Sequence, residues 1–85
     1  MTPDERTRRG ERAQALLENT AFAETMDACL VHCQMLWAAT SADDTVSREM
    51  LFHKFTAVHS IRDMLKNFTE DGTRAEKEQD GDQTG

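Results

Sequence analysis

The sequence predicts an all-α protein: an antiparallel helical hairpin with a short N-terminal helix, pairing with a second copy into a four-helix-bundle-like homodimer. Three observations predict it. Apolar residues recur at helical spacing in two long stretches, Phe22, Met26, Cys29, Cys33 and Leu36 in the first and Leu51, Phe55, Val58, Ile61, Leu65 and Phe68 in the second. Four glycines and one proline in 85 residues are too few for a many-turned β protein. Finally, Leu30, Val31, Met35, Trp37, Met50 and Phe52 lie outside the two stripes. That is more apolar surface than one hairpin hides, so these six residues are the predicted interface with a sister subunit.

The first helix starts at Thr2-Pro3-Asp4-Glu5. Thr2 can cap, Pro3 suits the first helical position, and Glu5 stands where a capping box places its acid. Gly10 weakens this helix by ~1 kcal/mol relative to Ala. Its apolar residues, Ala13, Leu16 and Leu17, come late. The expectation is therefore a fraying basic segment over 1–12, with docking only from Ala13 onward. Asn19-Thr20 is a candidate break, with Asn19 able to close one helix in a left-handed conformation and Thr20 able to cap the next; the alternative is one helix that continues through it with a bend. Thr40 to Asp44 is a turn of short, mostly polar residues, and the next helix starts near residue 44. So short a link sets its two helices antiparallel, bringing Cys33 toward Leu51 and Met26 toward Val58. The last helix should end at Asp71-Gly72. The chain thus divides into the fraying segment 1–12, a hairpin domain over 13–69, and an acidic tail over 70–85 with only Ala75 to bury, expected to be disordered.

The net charge is −6, distributed as +1 over residues 1–12, −3 over 13–68 and −4 over 69–85. Such a balance repels phosphates and argues against broad nucleic-acid binding. No apolar run is long enough for a membrane span, and the charged N-terminus does not read as a secretory signal, so a cytoplasmic location is expected. An ordered region of ~60 residues gains little net stability from its core once conformational entropy is counted, a second reason to expect an oligomer.

Candidate chemistry is sparse. Cys29, His32 and Cys33 form C-x-x-H-C on one helix, with His53 and His59 on the facing one. These are zinc-type ligands, but both cysteines also fit the apolar stripe as packed thiols, and no metal or cofactor is expected. Glu24, Asp27, Glu49 and Asp63 could pair with histidine for acid–base work. The Glu-x-x-His spacing of di-metal bundles is missing, however: the nearest approach, Glu49 to His53, is spaced by four. Solvated helix faces are the expected role, and no catalytic residue is assigned. Arg6, Arg8, Arg9 and Arg12 are interleaved with Asp4, Glu5 and Glu11, which suits local ion pairs better than phosphate contact.

Arg9 to Phe22 (RGERAQALLENTAF), followed by Trp37, Thr40, Arg48-Glu49 and Ile61-Arg62, resembles a group of short helical proteins encoded by tailed bacteriophages and prophages. The resemblance covers residues 9–65 and rests on packing and capping positions. It implies a phage context, inside the host cell, and carries no catalytic residues. Two functions follow as expectations. One is a structural, assembly or packaging accessory working through a homodimer and other phage proteins. The other is an acidic regulator that binds a host protein.

Overall fold

The computed structural model describes residues 1–84, with side chains for residues 1–81. Three α-helices and no strand occur among the described residues: α1 over Pro3–Glu18, α2 over Thr20–Ala39 and α3 over Thr45–Thr84. Local chemistry sets the boundaries. The Thr2 side-chain oxygen accepts the Glu5 N–H at 3.1 Å, and its hydroxyl donates to the Glu5 carboxylate, also at 3.1 Å. Pro3 follows as the first helical residue.

Asn19 alone separates α1 from α2, and it serves both. Its N–H donates to the Leu16 carbonyl at 3.1 Å, and its side-chain oxygen accepts the Phe22 N–H at 2.8 Å. Its φ of −70° and ψ of 119° are extended rather than left-handed. The cap of α2 is therefore Asn19, and Thr20, expected to cap, is already helical. Thr40 closes α2 by donating its N–H and its hydroxyl to the Trp37 carbonyl at 3.0 and 2.6 Å. Asp44 caps α3 by accepting the Ser47 N–H at 3.1 Å, and this bond holds its carboxyl below the usual range.

α3 does not stop at Asp71-Gly72. It runs on for 40 residues to Thr84, so the stretch over 70–84 expected to be disordered is helical; Gly85 lies outside the described residues. The physical reason is a partner that composition did not reveal. α1 packs against this half of α3, burying Gly72 and Ala75 and half-burying Asp71. Residues 1–12 dock in the same contact: Gly10 is buried and Arg6 half-buried, so docking does not wait for Ala13.

At ~1.5 Å per residue α3 is ~60 Å long, and it sets the 63 Å long axis of a molecule only 15 Å thick. The radius of gyration is 18.3 Å, against ~12 Å for a compact chain of this length. α2 lies beside the first half of α3 and α1 beside the second, as Asp27–Arg62 and Arg6–Asp71 contacts show. The core is therefore a seam. Along α3 a row of less exposed residues runs through Arg48, Leu51, Phe55, Val58, Arg62, Leu65, Thr69 and Gly72, in alternating steps of three and four. Ala23, Met26, Leu30 and Cys33 answer from α2, and Arg6, Gly10, Ala13 and Leu17 from α1.

Three expected core positions, Cys29, Leu36 and Ile61, move out of this seam. Cys29 is exposed and Leu30 takes the inward position; Ile61 is 50% exposed and Arg62 faces inward. The Arg62 guanidinium donates to the Ala23 carbonyl at 3.2 Å and to Asp27 at 2.7 Å. A charged side chain holds a seam position because both bonds stand at the rim, where the charge keeps some solvent.

Candidate functional site

Side chains of distinct chemistry gather in two places. The first is the α1–α3 crossing. A Cβ added at Gly10 would stand 2.8 Å from the Phe68 carbonyl oxygen and 2.9 Å from the Gly72 Cα, so the two backbones touch through their glycines. This close approach draws the flanking charges together. Arg6 donates to both Asp71 oxygens, at 3.0 and 2.7 Å, and to Glu78 at 3.0 Å. Arg9 reaches Asp71 at 3.2 Å while its guanidinium lies 4.0 Å from the centre of the Phe68 ring. Arg8 alone follows the local pattern expected of the N-terminal arginines, pairing with Asp4 at 2.6 Å. Sequence reasoning missed the Arg6 and Arg9 pairs because it gave their acidic partner no fixed position.

The Arg6 guanidinium holds the Asp71 carboxyl down to about 2, and the carboxylate raises Arg6 in turn. An unfolded aspartate titrates near ~3.9. A lowered folded value means the contribution is complete above about pH 4 and is lost as pH falls toward 2. Asp71→Asn should lower the melting temperature at pH 7 and flatten the acid limb between pH 4 and 2. Thermal melts across that range check it; an acid limb that overlays the wild type would show that the pair contributes nothing.

The second place is the α2–α3 half. Cys33, Gln34, Trp37, Leu51, Phe52 and Phe55 line an open groove of about 230 Å³. Arg48 lies over the Trp37 ring at 5.1 Å, and Arg62 and Asp27 pair on the same side. At 100° per residue, the residues on this side of α2 and α3 include Asp27, Gln34, Arg48, Phe52, His59 and Asp63. It is largely polar. The opposite side carries Phe22, Cys29 and Leu36 at steps of seven on α2, and Met50, Ala57, Ile61 and Met64 on α3. Its one formal charge in that half is Lys54. Leu36, Met50, Ile61 and Met64 are 40, 57, 50 and 51% exposed.

The six predicted interface residues divide among these positions. Met50 lies on the apolar side. Phe52 and Trp37 rim the groove on the polar side, Leu30 turns toward the seam, and Val31 and Met35 stand on the outer edge of α2. Five of them remain in solvent in the single chain, Val31, Met35, Trp37, Met50 and Phe52 being 53, 66, 41, 57 and 57% exposed. Phe22, Cys29, Leu36 and Ile61 were expected to face the core; three of these four are in fact exposed, and Phe22 is half-buried. On α3 the three–four alternation of the seam is the signal that identifies Ile61, since the step from Val58 to Ile61 repeats a three and carries the stripe off its face; on α2 the expected stripe alternates just as regularly, and spacing carries no such signal.

The residues considered for chemistry do not converge. Cys33 is buried, whereas Cys29 and His32 are exposed. His53 stands 3.7 Å from Glu49 at the surface, and His59 packs edge-on against Phe55. Glu24 and Asp63 are exposed. Among the described residues no group of three or more His, Cys, Asp and Glu is placed to hold a metal ion, and no helix is long and apolar enough to cross a membrane. No family model matches this chain, and no curated protein or solved structure is significantly similar to it.

Proposed function

We propose that this chain is a non-enzymatic helical protein of tailed-phage type that works by protein–protein contact, as a homodimer, in virion assembly or DNA packaging inside the host cell. In this reading α2 and the first half of α3 form an antiparallel hairpin, and two hairpins close a four-helix bundle. The contacts Thr40–Arg48 near the turn and Asp27–Arg62 further along support the hairpin. One observation carries the proposal. The large apolar side chains left in solvent concentrate in the α2–α3 half of the rod; among the described residues only Met1 and Leu16 lie elsewhere. Monomeric proteins rarely leave such surface uncovered. The phage context rests on the resemblance of residues 9–65.

A second reading has its own support. With a net charge of −6 and exposed Glu70, Glu76, Glu78 and Asp80 along the end of α3, the chain could occupy a basic surface of a host protein. Co-expression with head and packaging proteins of a phage carrying this gene separates the two. The assembly role predicts co-elution with one of them. Stoichiometric capture of a single basic host protein, with no phage protein bound, would reverse the order.

A further inference from the structure

We infer that two copies meet through the apolar side built by Phe22, Cys29 and Leu36 of α2 and Met50, Ile61 and Met64 of α3. Their rods run in opposite directions and overlap only along α2 and the facing part of α3. The inference rests on the homodimer reading above and adds the surface, the direction and the extent of overlap.

Area comes first. The chain exposes 6189 Å², where a compact monomer of 9.6 kDa exposes about 5,100 Å². The excess, about 1,100 Å², is more than the ~800 Å² that each partner hides in a stable interface of about 1,600 Å² in total, so covering part of it suffices. α2 is ~30 Å long, so a contact of that length and one helix pair in width reaches this size. The polar side cannot supply it, because Asp27, Arg48, Arg62 and Asp63 would have to be desolvated there. On the apolar side Lys54 can lay its stem along the contact and leave its amine at the rim.

Direction follows from shape and charge. Leu36 and Met50 stand at one end of this surface, Phe22 and Met64 at the other, and the small Cys29 and Ala57 between them. A two-fold axis through the small centre sets each bulky end of one copy on the opposite bulky end of the other. Beyond the overlap each copy carries an arm of α1 and the end of α3. Residues 1–18 and 66–85 hold ten acids and seven bases, net −3. Rods running the same way would lay two such arms side by side, closer than the ~10 Å over which salt screens them. They would also press Arg6, Arg9 and Asp71 of one copy on the same group of the other. Opposite running points the arms away from each other and leaves both charge clusters in water.

Light scattering and small-angle X-ray scattering on the full chain, at tens of micromolar, test this. The expected result is twice the 9.6 kDa mass with a maximum dimension of about 95 Å, which is two 63 Å rods less the ~30 Å overlap. A doubled mass with a maximum dimension near that of one rod would overturn the opposite running and leave the dimer standing. A single-chain mass would remove the dimer reading itself. Ile61→Asp and, independently, Met64→Asp should return the chain to single mass with its helical spectrum intact. Met35→Asp, on the outer edge of α2, should leave the dimer unchanged. The reverse pattern would move the contact to another face.

Discussion

Deleting residues 70–85 should unfold α1 as well as shorten α3. The deletion removes Asp71, Gly72 and Glu78, which Arg6, Arg9 and Gly10 meet, together with the buried Ala75. What remains of α1 is a helix of 16 residues with a glycine at its middle and only Ala13, Ala15, Leu16 and Leu17 as apolar content. An isolated helix of that length is marginal in water, and Gly10 lowers it by a further ~1 kcal/mol. Fifteen helical residues leave with the deleted segment, about a fifth of the helix in the chain, and α1 accounts for about another fifth. The molar helical signal should therefore fall by about two-fifths. A loss of only a fifth would mean that α1 holds its shape without the end of α3. The α2–α3 half should keep its cooperative transition, because Met26, Cys33 and Leu51 are untouched.

That deletion also separates what was legible in the sequence from what was not. The starts of α1 and α3, the turn at 40–44 and the helical character of 20–39 and 45–69 can be read from caps and apolar spacing, since each is fixed by residues within a few positions. The end of α3 cannot be read that way. Asp71-Gly72 has the composition of a helix stop, and nothing local says that a second glycine, 62 positions earlier, lies against it. Glycine here serves contact rather than conformation: no glycine among the described residues has positive φ. The phase of the α2 stripe was half legible. Met26 and Cys33 belong to both possible stripes, and only the partner helix decides between Cys29 and Leu30 as their companion. Choosing the wrong phase put Phe22, Cys29 and Leu36 inside, and the surface offered to a second copy was drawn from residues on three different sides.

Gly72→Ala should destabilise the protein, although the same change in most helices stabilises. Alanine in place of a mid-helix glycine ordinarily gains ~0.5–1 kcal/mol through backbone entropy. At Gly72 the new methyl carbon would stand 2.9 Å from the Gly10 Cα and 3.1 Å from the Arg6 carbonyl oxygen. Both obstacles are backbone, so no side-chain rotation relieves them, and α1 has to move outward. Overpacking of this kind costs ~1–3 kcal/mol, enough to reverse the sign. For a chain of this size that is a fall of at least ~4 °C in melting temperature. Gly81→Ala supplies the contrast in the same helix: its Cβ would meet nothing within 4 Å, and it should be neutral or stabilising. Gly10→Ala meets the Phe68 carbonyl at 2.8 Å and should behave like Gly72→Ala. The two changes strain one contact, so the double variant should lose clearly less than the sum of the singles, because the first has already parted the helices. Paired melts of the four variants decide it. A Gly72→Ala protein more stable than wild type would show that α1 does not rest on α3 at this point, and with that the charge cluster around Asp71 would lose its geometric cause.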